Sequence, residues 1–341
     1  MEVSLQTTNA AYRDLRDELK RQGLLDCKPG WYAGRVVANF TFLAASVSLL
    51  LSAEALATFC AAALLLAFAM VQIGFIGHDV QHGQVVRSHR ARQFLGLIHW
   101  NLLTGLSNSW WQDKHTRHHV HTNIQGHDPD MYPVLTFSHA EALRKHGCFR
   151  AIARYQVWFY LPLLGCVAAY FRALSVAFLL KQRLRGFGVE LLLIALHHIG
   201  YFSLVLYVLP PISALIFVTL NYFATGLYMG AVFSPNHMAM PLADPAPPER
   251  RLHSQLNSTR NIATGPLGDF VFGGLNYQIE HHLFPSLPRP HLREASRYVR
   301  AFCEHQKLPY NSCDLLSAYC SIAHELHSVG APLRVKAEKP C

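Results

Sequence analysis

Two uncharged runs decide what this chain can fold into. Residues 36–53 and 55–77 contain no Asp, Glu, Lys or Arg. At about 1.5 Å per residue, a helix of either length crosses a hydrocarbon core of about 30 Å, the first only just. In that medium a segment must pair its own backbone N–H and C=O groups, so each run reads as a helix. Glu54 separates them with no Lys or Arg nearby. This predicts a tight helical hairpin whose turn faces away from the cytoplasm. Two further apolar runs, 188–209 and 211–233, meet at Pro210–Pro211 and predict a second hairpin.

Composition agrees with a membrane protein. Charged residues are 15% of the chain and hydrophobic residues 51%, against about a quarter charged in a typical soluble domain. The net charge is +9. Its Lys and Arg residues fall between apolar runs, where they orient a chain in a bilayer, and nucleic acid is not an expected partner. The eight cysteines form no CxxC pair, and we read them as free thiols in a reducing compartment. No signal peptide is expected, because about thirty polar residues precede the first apolar run.

Residues 155–180 are long enough to cross but are expected not to. If they crossed, everything after residue 233 would lie on the opposite side from His78 and His115. Arg144, Lys145, Arg150 and Arg154 precede the segment, and Lys181, Arg183 and Arg185 follow it, so both flanks prefer the cytoplasm. Pro162 and Arg172 interrupt it. The segment is therefore expected to be interfacial or re-entrant. The expected fold is an all-α integral membrane domain covering residues 1–341. Four transmembrane helices form two hairpins, both termini are cytoplasmic, and residues 78–187 and 234–341 build a cytoplasmic helical cap. Residues 8–25 predict an amphipathic helix and 94–111 an interfacial helix ending in Trp110 and Trp111. Residues 291–305 and 313–327 predict two surface helices, and a Pro-rich loop spans 241–250.

Chemistry concentrates in three histidine groups. His78 and His82 are four residues apart, and His115, His118 and His119 have i, i+3, i+4 spacing. Each set shares one face of a helix. His281 and His282 form the third group. With four spans, all three lie on one side of the membrane. Seven imidazoles exceed the four ligands of a tetrahedral zinc and suit two ions of a metal such as iron. His237 stands just beyond the fourth span. His197 and His198 lie within the third span and are expected to be satisfied by carbonyls; His121 and His127 read as loop residues. Asp79, Asp128, Asp130 and Glu280 are natural partners to orient imidazole N–H groups, although Asp128 and Asp130 could equally hold a turn.

HDVQH, HTRHH and QIEHH, in this order and with these hydrophobic separations, resemble the three histidine boxes of the membrane fatty acid desaturases. LNYQIEHHLFPSLPR, with Gln278 at the first position of the third box, resembles the front-end and sphingolipid desaturases. The HTN and DPD after the second box match as well, and the likeness covers roughly residues 10–310. It implies that His78, His82, His115, His118, His119, His281 and His282 bind two iron ions, with His237 as a further ligand and Gln278 near the centre. It implies O2 as co-substrate, a cis double bond as product, and an acyl-CoA or acyl-lipid substrate. Many front-end enzymes carry a fused cytochrome b5 with an HPGG motif. This sequence has no HPGG, so electrons are expected from a separate ferredoxin or cytochrome b5 with its reductase. The basic stretch 144–154 is either a docking face for such a carrier or simply an orientation signal. A histidine-box hydroxylase is the near alternative and a membrane metal transporter the distant one. A zinc hydrolase would want HExxH, which is absent.

Overall fold

A computed structural model describes residues 5–334, apart from 133, 246, 248 and 249. The Pro-rich loop is thus described only in part, and the basic end after Arg334 lies outside the described residues. The chain opens with α1 (Leu5–Arg21), α2 (Pro29–Leu51) and α3 (Leu56–Gln81). α4 (His89–Gly96) runs into a π-helical stretch, Leu97–Leu103, and α5 (Asn108–His121) follows. The short α6 (His139–Arg144) and α7 (Gly147–Arg154) lead to α8 (Gln156–Gln182), α9 (Phe187–Val208) and α10 (Pro211–His237). Then come α11 (Arg251–Ser258), α12 (Pro266–Val271), α13 (Gln278–Leu283), α14 (Leu292–Gln306) and α15 (Leu315–Val329). The fold is nearly all-α. The departure is β1 (Asn261–Ile262) paired in parallel with β2 (Ser312–Cys313).

Among the described residues, five helices are long and apolar enough to cross a membrane: α2, α3, α8, α9 and α10. α3 continues past the expected boundary at residue 77, so His78 rides on its last turn and His82 caps it. α2 and α3 pack side by side, with the Ser46 hydroxyl donating to the Ala62 carbonyl at 2.9 Å. α10 packs between α3 and α8. Its Asn221 amide donates to Ala63 O of α3 at 3.0 Å. Toward α8 the backbones come very close: a Cβ on Gly226 would stand 2.6 Å from Gly165 O.

One expectation is narrowed here and one corrected. Residues 155–180, expected to be interfacial or re-entrant, form one unbroken helix, α8, which excludes the re-entrant alternative but not the interfacial one. Pro162 is accommodated inside it, as proline is in helices whose freed carbonyl finds other partners. Residues 94–111 do not form one interfacial helix. The chain turns at Gly105 (φ +69°), where a Cβ would strike the His197 ring at 2.4 Å. Trp110 and Trp111 are 5% and 3% exposed, and so are core residues rather than interfacial anchors. Trp111 stacks on Trp100 with ring centroids 4.4 Å apart.

The soluble-side helices brace this bundle. Leu15 and Leu19 of α1 share one core with Leu292, Ala295 and Val299 of α14. The Tyr12 hydroxyl donates to Leu283 O at 2.6 Å, fixing the end of α13. α15 sets Ile322 and Leu326 against Tyr160 and Leu164 of α8. The two expected surface helices are thus present as α14 and α15, each with one face buried. The seven cysteines among the described residues are free, as expected; Cys341 lies outside them.

Candidate metal centre

Four helices deliver the histidines. α3 brings His78 and, at its cap, His82; α5 brings His115, His118 and His119; α10 ends on His237; α13 carries His281 and His282. α5 is held at its start. Ser107 caps it, accepting from Trp110 N–H at 3.0 Å. Glu190 of α9 accepts from the Ser107 hydroxyl at 2.8 Å, from Asn101 at 3.0 Å and from Ser109 N–H at 3.2 Å.

The histidines gather into two groups. One nitrogen each from His78, His82, His115 and His281 lies within 4.8 Å of the others, and the same holds for His118, His237 and His282. His119 sits between the groups, with Nε2 3.1 Å from His115 Nε2 and its ring 4.4 Å from that of His282. All seven box histidines and His237 therefore come together. The Gln278 amide donates to His237 Nε2 at 2.8 Å, so this residue meets the second group.

The rings are anchored from outside. The Nδ1–H groups of His78 and His118 donate to Asp79 (2.9 Å) and Asp128 (3.0 Å). Those of His282 and His237 donate to Gln255 Oε1 (2.7 Å) and the Ser258 carbonyl (3.2 Å). This fixes the tautomer and leaves Nε2 with its lone pair facing inward. The inward atoms crowd: His78 Nε2 is 3.2 Å from His281 Nε2, and His82 Nε2 is 2.8 Å from His115 Nε2. His282 Nε2 is buried without a partner. Burial, reinforced by neighbouring imidazoles, pushes His82, His115, His119, His281 and His282 well below the ordinary 6.5, so these rings are neutral. One proton can bridge one facing pair but not a whole group. A shared cation satisfies all the converging lone pairs, and the donor set fits metal.

The carboxylates divide. Burial alone would lower His118, but Asp128 and Asp130 outweigh it and raise the ring. Burial raises Asp130, yet Lys114 and His118 bring it below the usual carboxylate range. Asp130 forms an ion pair with Lys114 and accepts from the Tyr132 hydroxyl at 3.1 Å. Glu280 is a correction: it orients no imidazole but accepts from Asn261 (2.7 Å) and the Tyr310 hydroxyl (2.8 Å). One residue along a helix is a turn of about 100°, which aims Glu280 away from His281. Sequence reasoning missed Gln255, Ser258 and Arg289, the last an ion-pair partner of Asp79. Lys114 lies inside the histidine-rich stretch and had a usable signal beside the DPD carboxylates.

The other histidines stay apart. His197 and His198 donate from Nδ1 to Leu102 O (2.9 Å) and Ile194 O (2.8 Å), the carbonyl satisfaction expected of them. His121 and His127 pair with each other, ring centroids 5.6 Å apart. An apolar cavity of roughly 120 Å³ lies between α8 and α10, walled by Leu164, Phe171, Gly230 and Phe233, and reaches His78, His115, His118, His237 and His281. It shares His118, Asp130, Phe137, His237 and Met238 with a cleft of roughly 290 Å³ toward α15. On its other side it shares His78, Trp111 and Phe233 with a narrow pocket that ends at Arg172 and Thr225.

Membrane-length helices and buried imidazoles along an apolar passage define a helical, membrane-type protein whose histidine groups could hold metal ions. The comparisons with known proteins narrow that class. The sequence profile of the fatty acid desaturase family matches residues 55–314. The chain is 31% identical over 321 residues to the Delta(8)-fatty-acid desaturase of Euglena gracilis, covering 88% of this chain and 74% of that protein. It is 28% identical over 347 residues to the Delta(6)-fatty-acid desaturase of Caenorhabditis elegans, covering 96% and 76%. It is 30% identical over 325 residues to the acyl-lipid (9-3)-desaturase of Borago officinalis, covering 91% and 72%. The chain belongs to the fatty acid desaturase family.

Proposed function

We propose that this desaturase is of the front-end type, placing a cis double bond near the carboxyl end of an acyl chain at a histidine-held di-iron centre. The observation that carries the reading is the convergence of all three histidine boxes on one apolar passage. The Delta(8) and Delta(6) names of its relatives support the bond position. In this reading His78, His82, His115 and His281 hold one iron, His118, His237 and His282 the other, and His119 stands between them. Gln278 meets His237 Nε2; with that nitrogen on iron its amide would turn to face the centre, as a weak ligand or a hydrogen-bonding partner.

Four of the five long helices would span, with α8 lying along the interface. Both of its ends support this. Gln156 donates to Leu326 O at 3.1 Å and accepts from Thr136 N–H at 2.9 Å. At the other end Phe178 and Gln182 lie beside Gln112 and Arg117 of α5. The histidines, the cap and both termini then face the cytoplasm.

An unactivated methylene C–H is beyond acid–base side chains, so the chemistry supplied here is metal-based oxidation by O2, with two hydrogens removed and water formed. The chain's own residues do the rest. Asp79, Asp128, Gln255 and the Ser258 carbonyl hold the imidazoles at Nδ1, and burial keeps the rings neutral for binding. Leu164, Phe171 and Phe233 align the acyl chain past the histidines and exclude water. Lys114 Nζ and the Tyr132 hydroxyl, both on Asp130, form a polar wall of the passage. Electrons come from a separate ferredoxin or cytochrome b5, and the acyl group rides on coenzyme A or a lipid.

The test is fatty acid profiling, with double-bond location, of cells expressing the chain and fed defined acyl chains. A new double bond between the carboxyl group and an existing one is expected. A bond on the methyl side, or a hydroxylated product, overturns the proposal.

A further inference from the structure

A second pocket, roughly 250 Å³, lies where the start of α2 meets α12 and the approach to α13. It shares no lining residue with the acyl passage. Three guanidinium groups, Arg35, Arg289 and Arg293, line it together with Trp31, Phe270 and Tyr277. Two of these charges are balanced: Arg289 pairs with Asp79, and Arg293 with Asp269 at 2.6 Å. Arg35 is not. It stacks between Trp31 (4.7 Å) and Phe270 (5.0 Å), and among the described residues it has no carboxylate or hydrogen-bonding partner. The pocket therefore carries one excess positive charge, presented as planar forks that match phosphate oxygens.

Its level in the protein points to the ligand. Arg35 immediately precedes the uncharged run 36–53. Phe270 of α12 packs on Phe42 and Phe68, ring centroids 6.4 and 6.0 Å away, within the first two long helices. Leu267 on the same short helix is 75% exposed, which suits hydrocarbon. Aromatic rings and arginines at this depth mark the headgroup layer, where basic pockets hold anionic lipids.

We propose that this pocket binds the phosphate of an anionic membrane phospholipid. The lipid phosphate sits among Arg35, Arg289 and Arg293, with its acyl chains on the outer face of α12 and α2. Because Arg289 also holds Asp79, the bound lipid sits one ion pair from His78.

The test uses the purified full chain in nanodiscs of phosphatidylcholine with and without phosphatidylglycerol, with lipid retention read by native mass spectrometry. Wild type is expected to retain phosphatidylglycerol in preference to phosphatidylcholine. Arg35→Gln and Arg293→Gln are each expected to weaken that retention about fivefold, and Arg35→Lys less. Arg293 is half exposed, so its variant carries the test should Arg35→Gln fail to fold. Equal retention of both lipids, or equal retention by wild type and variants, overturns the proposal. Coenzyme A displacing the lipid from wild type but not binding Arg293→Gln would assign the site to a soluble phosphate and also overturn it. None of these readings depends on desaturation, so the site stands or falls apart from the proposed reaction.

Discussion

His118 receives Asp128 at Nδ1 and turns its other nitrogen toward His237 and His282. Removing that ring (His118→Ala) is expected to abolish the new double bond and to lower bound iron, measured by product analysis and elemental analysis. Asp128→Asn keeps the shape but loses the acceptor pair that orients the ring, and should cost tenfold to about a hundredfold in iron affinity; unchanged iron content under chelator competition would remove Asp128 from this role. The neutral rings also set a pH dependence. Burial holds five of them well below 6.5, so as pH falls through 6.5 the unfolded chain takes up protons that the folded chain does not. Metal-stripped protein should therefore lose thermal stability steadily below that pH, and a flat midpoint between about pH 8 and about pH 5 would contradict the linkage. His78 with His82, and His115 with His118 and His119, were legible because helical spacing puts each set on one face. His281 and His282, adjacent and about 100° apart on a helix, were legible from the resemblance of QIEHH to a histidine box. Gln255 and Ser258 were not. They come from α11, whose sequence carries no metal motif, and they reach the site only through tertiary packing.

At the scale of elements, the crossing of α8 and α10 positions the acyl passage. Gly226 lets the two backbones touch, and Gly165 accepts the Phe223 ring where a Cβ would lie 2.1 Å from it. Gly226→Ala forces the helices apart, at a cost of about 1–3 kcal/mol. It should lower the thermal midpoint and reduce turnover together, whereas a change in stability alone would show that the crossing does not shape the passage. Helix existence was readable from the apolar runs: α3, α9 and α10 start and end within four residues of the expected bounds, and α2 starts at Pro29, seven residues before residue 36. α8 was harder. Pro162 reads as a breaker in isolation, and only the packing of Tyr160 and Leu164 against α15 shows why the helix continues. Trp110 and Trp111 were misplaced for a related reason: an interfacial tryptophan and a core tryptophan look alike in sequence.

For the whole molecule, the proposed topology turns on whether α8 lies along the interface or crosses as a fifth span. Single cysteines replacing Arg144 and Arg185 should both resist a membrane-impermeant maleimide in intact cells, and one replacing Pro210 should react. Labelling at Arg185→Cys but not at Arg144→Cys would make α8 a fifth span. The passage itself could not be read from sequence, because its walls come from α5, α8 and α10, three separate helices spread between Asn108 and His237. One feature of the cluster bears on how the enzyme is made. His78, His82, His115, His118, His119 and His237 are all synthesised before His281 and His282, and these two neighbours complete one group each. A nascent chain therefore carries no finished pair of sites until its last quarter has left the ribosome. If the two groups hold the irons as proposed, neither is complete before α13 docks, and the adjacency of His281 and His282 ties the completion of one to that of the other.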